Sequence, residues 1–336
     1  MPDSLFEITN SCNDAKALLD VLPIIDINSS DIQLADLGWA SELPRVFPVE
    51  SCISGHIPTH EELYDVIDEL KPKDRAGFKY VLADSLQREP ASSAMNIPVP
   101  SSRMRIHLPN TLPHEIVNRA DLEHITMNIA NNGAYVNWHV DMGMAGLSAI
   151  AGACEKTWLF AELTQHNFEQ FMKWQQSATR PFDKLLVVLE KVFVLRQAST
   201  GIVWVPPGAI HATFTTSPGF LYGNNLQIRP SIGMMSMGFI TVLNDKQITD
   251  QARVAGKYIE HVLDVIRNGD LELQMLALSW FCDKRIRTVA CKRKWLKKFA
   301  PLMDAWVGCF ALWGQVNGPY NCVFIFHHAR MVRSEL

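Results

Sequence analysis

Tyr135-Val136-Asn137-Trp138-His139-Val140-Asp141, with Trp204-Val205-Pro206-Pro207-Gly208-Ala209-Ile210-His211 downstream, decides how this chain is read. Upstream of the first stretch, Ile125, Met127 and Ile129 alternate towards Asn131-Asn132-Gly133, a strong turn signal, so Tyr135 to Val140 reads as another strand. Residues two apart on a strand share a face, which points His139 and Asp141 the same way. In the second stretch, Ile202 to Val205 form a short apolar strand after Ser199-Thr200-Gly201. Pro206-Pro207-Gly208 then turns the chain, and His211 opens the run Ala212 to Thr216.

His-x-Asp/Glu alone is weak evidence, because 11 His and 35 acidic residues in 336 positions give about one match by chance, and the chain has two. The other is His60-x-Glu62. There Thr59 and Glu62 form a capping box ahead of Leu63, Val66, Ile67 and Leu70 at helical spacing, so His60 reads as part of a helix start. His139, Asp141 and His211 differ in context. Two imidazoles and one carboxylate on one face of an ion, with other positions open, are the ligand set of non-haem Fe(II) oxygenases. The competing reading is a pair of satisfied structural histidines.

Taken in order, strand-borne His139-x-Asp141, Glu155-Lys156-Thr157-Trp158-Leu159-Phe160 and Gly201 to His211 resemble the Jumonji C branch of the Fe(II)/2-oxoglutarate oxygenases. The resemblance implies an α+β protein with a double-stranded β-helix core, a jelly-roll or cupin barrel with the metal at its mouth, flanked by N-terminal and C-terminal helices. It implies that His139, Asp141 and His211 are the catalytic residues and hold Fe(II), with 2-oxoglutarate as cosubstrate and O2 as oxidant. Lys156 matches the lysine that binds the distal carboxylate of 2-oxoglutarate. A lysine inside a barrel needs an anion to offset its desolvation, and a dicarboxylate supplies one. The alternative is a surface lysine on an edge strand, against which stand the apolar neighbours Ala149-Ile150-Ala151 and Trp158-Leu159-Phe160.

The chain departs from the family at Val136, where a hydroxyl residue often precedes the first histidine. Asn128, Asn224 and Asn225 are the candidates to complete the cosubstrate site, Gly223-Asn224-Asn225 reading alternatively as a turn. Arg229 is another candidate carboxylate partner, although a residue before Pro230 at a strand end more often faces solvent.

Three regions follow: 1–100, short helices and loops ending at a seam marked by Pro98, Pro100, Ser101 and Ser102; 101–235, the catalytic core; and 236–336, helical. Within the core, Thr164 to Ser177 carries Phe168, Phe171, Met172 and Gln175 at helical spacing, the start of a helical insertion over about 164–190. Beyond Pro230, Val254, Tyr258, Ile259, Val262 and Ile266 stripe one face, and Asn268-Gly269 is a stop signal. Leu271 to Phe281 and Trp295 to Trp313 continue as helices, a region that in Jumonji C proteins supports the barrel or builds a homodimer interface. The apolar segment Tyr320 to Phe326 reads either as core or dimer seam, or as a wall of the substrate pocket.

Composition agrees with a soluble enzyme: 48% of residues are hydrophobic, 20% are charged, and the net charge is −4. No run approaches the ~18 to 20 apolar residues of a membrane helix, and Met1-Pro2-Asp3-Ser4 lacks signal architecture. Seven cysteines with no Cys-x-x-Cys predict reduced thiols, no zinc site and no zinc-binding reader module. An intracellular, cytoplasmic protein is expected, with the nucleus as the alternative. The basic run Lys284 to Lys298 reads as the solvated face of an amphipathic helix, in preference to a nucleic-acid surface. The expected substrate is a small metabolite or amino-acid-like molecule, hydroxylated, desaturated or cyclised. The alternatives are a protein hydroxylase or histone lysine demethylase acting on a peptide or histone tail, and a non-catalytic cupin binding module.

Overall fold

The structure, a computed structural model, describes residues 6–8, 42–55, 58–69, 92–99, 104–112, 114, 116–117, 124–141, 143–244, 251–282 and 286. It forms two compact units, Met1–Ile228 and Arg229–Leu336. The first carries thirteen described strands: β1 Phe6–Ile8, β2 Arg45–Pro48, β3 Ile53–Gly55, β4 Ser92–Pro98, β5 Met104–Ile106, β6 Thr126–Ala130, β7 Tyr135–His139, β8 Ala145–Ala151, β9 Glu155–Ala161, β10 Phe193–Gln197, β11 Gly201–Val205, β12 Ile210–Ser217 and β13 Gly219–Leu226. Its described α-helices are α1, His60–Asp68; α2, Gln165–Gln176; and α3, Phe182–Leu186. The class is α+β, and every described strand pairing is antiparallel.

Seven strands form one sheet in the order β1-β4-β6-β13-β8-β11-β2, and four form a second in the order β10-β9-β12-β7. Side-chain alternation gives each sheet two different faces. Ile150, Val203, Val205 and Leu221 of the larger sheet share one apolar cluster with Trp158, Phe160, Phe193 and Leu195 of the smaller, so these inner faces meet. The opposite face of the larger sheet, with Leu147, Ala149, Trp204 and Phe220, packs against Leu63, Val66 and Ile67 of α1. The outer face of the smaller sheet is covered by α2 and α3 through Phe171, Trp174, Phe182 and Leu185.

Local chemistry fixes the helix starts. The Thr59 hydroxyl accepts from the Glu62 N–H at 3.2 Å while Glu62 Oε2 accepts from the Thr59 N–H at 2.8 Å, the reciprocal capping box that places His60 in α1. Thr164 caps α2 by accepting from the Asn167 N–H at 3.1 Å. The first hundred residues do more than mix helices and loops: β1, β2 and β4 all join the larger sheet. Arg45-Val46-Phe47-Pro48 is too short to show alternation, and its strand character comes from pairing with β11.

Gly223-Asn224-Asn225 is not a turn but the middle of β13, paired with Ser148, Leu147 and Gly146 of β8. Glycine is needed at 223 because a Cβ there would run into the Leu147 carbonyl. Gly223→Ala therefore forces β8 and β13 apart. It should destabilise the protein by about 1–3 kcal/mol, the usual cost of overpacking, read as a lower urea midpoint with unchanged m-value. An unaltered midpoint would mean the two strands have slack.

The second unit contains α4, Arg229–Asn244; α5, Gln251–Asn268; and α6, Leu271–Cys282. Tyr258, Ile259, Val262 and Ile266 of the expected stripe are buried, and α5 ends at Asn268, before Gly269. Among the described residues, no helix is long and apolar enough to cross a membrane. Cys52 and Cys154 are free and buried, and burial raises both thiol pKa values. The basic run beyond Lys284, the expected helix Trp295 to Trp313 and the segment Tyr320 to Phe326 lie outside the described residues.

Candidate metal centre

Two of the strands already described, β7 and β12, bring the triad together, with β9 alongside. His211 at the start of β12 stands directly opposite His139 at the end of β7, and on its other side opposite Phe160 of β9. Asp141 follows His139 by two residues and reaches back between the imidazoles. Its Oδ1 lies 3.5 Å from His139 Nε2 and its Oδ2 3.5 Å from His211 Nε2. One ligand atom from each residue falls within 4.8 Å of the others, a spacing a single ion could share. Donors about 2 Å from one ion lie roughly 3 to 4 Å apart, so both 3.5 Å spacings suit a common metal.

Both rings are turned correctly for this. His139 Nδ1 donates to the Asn137 carbonyl at 2.8 Å and His211 Nδ1 to the Ala209 carbonyl at 3.1 Å. Each hydrogen bond places the proton on Nδ1 and leaves the Nε2 lone pair facing the carboxylate, the arrangement that orients metal-bound histidines. At longer than 3.2 Å the imidazole–carboxylate contacts are poor hydrogen bonds, so the triad does not satisfy itself as a structural cluster would.

The surroundings are asymmetric. His139 and Asp141 are 34% and 25% exposed, whereas His211 is 2% exposed. The His211 ring lies 4.1 Å from that of His139 and 5.8 Å from those of Trp158 and Phe160, centroid to centroid. Burial, reinforced by His139 and opposed by Asp141, pushes its pKa down to about 4. His211 is therefore neutral, and able to ligate, at any pH above about 5.

This has a measurable consequence in the metal-free protein. Between about pH 4 and the ordinary value of 6.5, the unfolded chain protonates this imidazole and the folded chain does not. The unfolded state binds more protons, so stability falls as pH drops through this window, by on the order of 3 kcal/mol from His211. Urea titrations from pH 7.5 to 4 should show that slope, and His211→Gln should flatten it. A slope unchanged in the variant would locate it in other groups.

Thr126, Asn128, Ser148, Thr213, Asn224 and Asn225 line the cavity of about 110 Å3 beside the triad, so all three candidate asparagines reach it. Thr213 stands opposite Val136, and both line this cavity. Sequence reasoning passed over Thr213, although it lies two residues beyond His211 on the same strand and so on the same face.

Lys156 is 4% exposed, and its ammonium donates to Thr215 Oγ1 at 3.0 Å. Among the described residues it has no carboxylate partner, and desolvation lowers its pKa. It stands two same-face positions from His211 along the strands, with Thr213 and Trp158 between, and lines a separate cavity of about 770 Å3. Arg229 is excluded as an anchor: it starts α4 and binds Asp270 at 2.7 and 3.0 Å and Glu272 at 3.1 Å. Hydrogen bonding to Arg229 in turn holds the Asp270 pKa near 2.

The chain matches no family model and has no significant match among curated proteins.

Proposed function

We propose that the protein is an Fe(II)/2-oxoglutarate-dependent oxygenase of Jumonji C type, with a double-stranded β-helix core, that oxidises an unactivated C–H bond of its substrate. The observation that carries this reading is the His139-Asp141-His211 group, with both Nδ1 atoms tied to backbone carbonyls and both Nε2 atoms turned to one carboxylate. When bound, iron would supply the coupling of dioxygen reduction to decarboxylation of 2-oxoglutarate, yielding succinate, CO2 and, for hydroxylation, one oxygen atom in the product.

The chain's own part is to bind and orient. His139, Asp141 and His211 would hold the ion. Lys156 offers a buried positive charge for the far carboxylate, and a dicarboxylate reaching it from the triad passes Trp158 and Thr213. Asn128, Thr126 and Thr213 offer neutral hydrogen-bonding groups in the cavity beside the triad. Trp158 and Phe160 keep water from the His211 side.

The substrate is proposed to be a small metabolite. One observation favours the second reading, a polypeptide side chain presented at the mouth. The cavity beside the triad is about 110 Å3, below the ~300 Å3 at which closed small-molecule pockets begin. A non-catalytic barrel is disfavoured by the intact triad. Anaerobic addition of Fe(II) and 2-oxoglutarate should give a weak visible charge-transfer band, and succinate release against a metabolite panel and a peptide library would separate the two substrate classes. A folded protein with neither band nor succinate would end the oxygenase reading.

A further inference from the structure

The pairing of β7 with β12 is not regular. His211 faces His139, yet Thr213, two residues on, faces Val136 instead of Asn137, so β7 carries one extra residue across this step. Such a bulge re-aims side chains and leaves its extra residue outside the ladder, where the backbone needs another tether. Here it lets Val136 and His139 both face the cavity while Trp138 turns into the outer cluster.

Asn137 supplies the tether. Its Nδ2 donates to the Arg180 carbonyl at 2.9 Å, its Oδ1 accepts from the Trp138 N–H at 2.9 Å, and its own carbonyl accepts from His139 Nδ1 at 2.8 Å. The anchor at the far end is itself held. Trp174 Nε1 donates to the Pro181 carbonyl at 2.9 Å and Trp138 Nε1 to the Phe182 carbonyl at 3.2 Å, so three consecutive carbonyls leading into α3 are each gripped by a side chain. The Trp138 ring also stacks on Phe182, 5.2 Å between centroids and 6° from parallel.

We propose that Asn137 is a positioning residue for the metal centre, locking the β7 bulge to the residue 180–182 segment so that His139 presents Nε2 to the metal. The proposal rests on the reading of His139, Asp141 and His211 as ligands. It assigns the helical insertion a role beyond covering the sheet, because the orientation of His139 depends on a backbone carbonyl that the insertion fixes. Asparagine fits both contacts, offering a donor and an acceptor on a two-bond stem; alanine offers neither, and aspartate keeps the acceptor but sets a charge against the Arg180 carbonyl.

The test uses Co(II) alone as probe on the full chain, with the visible d–d bands reporting ligand geometry. Asn137→Ala should bind Co(II) about 10- to 100-fold more weakly, the usual effect of removing a group that orients a ligand, with altered bands. The metal-free variant should keep the wild-type circular dichroism and lose only a few degrees in Tm. Asn137→Asp should show the same affinity loss, and decides the matter should the alanine variant not fold. Wild-type Co(II) affinity and bands in either folded variant would overturn the proposal, whatever happened to Tm. Wild-type protein that binds no Co(II) would overturn the metal-centre reading and this proposal together, whereas normal wild-type binding with unaffected variants would remove the proposal alone.

Discussion

Replacing Asp141 with alanine should remove most 2-oxoglutarate turnover and the anaerobic charge-transfer band while leaving the protein folded. Asp141 is the only acidic member of the triad, and its two oxygens each face one imidazole at 3.5 Å. Without it, two neutral nitrogens must hold a divalent cation with no protein charge to neutralise it. The expected loss is on the order of 10⁴-fold or more in kcat, the scale found when one member of a group acting as a unit is removed. His139→Ala should behave alike, since it leaves one imidazole and one carboxylate. Iron content after dialysis, the visible band and succinate release are the measurements. Full iron affinity and turnover in either variant would show that the ligands had been assigned wrongly.

Lys156→Ala separates the cosubstrate from the metal. Its Nζ lies on Thr215 and takes no part in the triad, so iron should bind the variant as it binds the wild type. The apparent KM for 2-oxoglutarate should rise at least about 30-fold, because losing one side of a buried charge pair costs about 2–5 kcal/mol. A KM unchanged from the wild type would move the anchor elsewhere. Arg229 could not inherit the role, since Asp270 and Glu272 already occupy its guanidinium.

Much of the site was legible because it depends on short-range rules. His139 and Asp141 lie two apart, a spacing that put them on one side in the sequence although β7 itself stops at His139, and the Pro206-Pro207-Gly208 turn marked where His211 begins its strand. Thr59 announced its helix through a capping box of four residues, and Phe168, Phe171, Met172 and Gln175 announced theirs through helical spacing. What stayed hidden belongs to pairs of strands. The β7 bulge is a mismatch in register between residues 139/136 and 211/213, and neither sequence alone contains it. Gly223 looked like a turn residue, but its cause is the carbonyl of Leu147, 76 positions away in the chain. The strands β2 and β4 were missed for the same reason, being defined by partners at β11 and β6.

Lys156 also bears on the lifetime of the chain. A buried ammonium whose described contact is one hydroxyl leaves the ligand-free fold with a desolvation penalty that a hydrogen bond to Thr215 only partly offsets. Any anion that pairs with it binds the folded chain and not the unfolded one. It therefore adds RT ln(1 + [L]/Kd) to folding, about 2.7 kcal/mol at a hundredfold excess over Kd. Resistance to proteolysis would then gauge whether such an anion is bound.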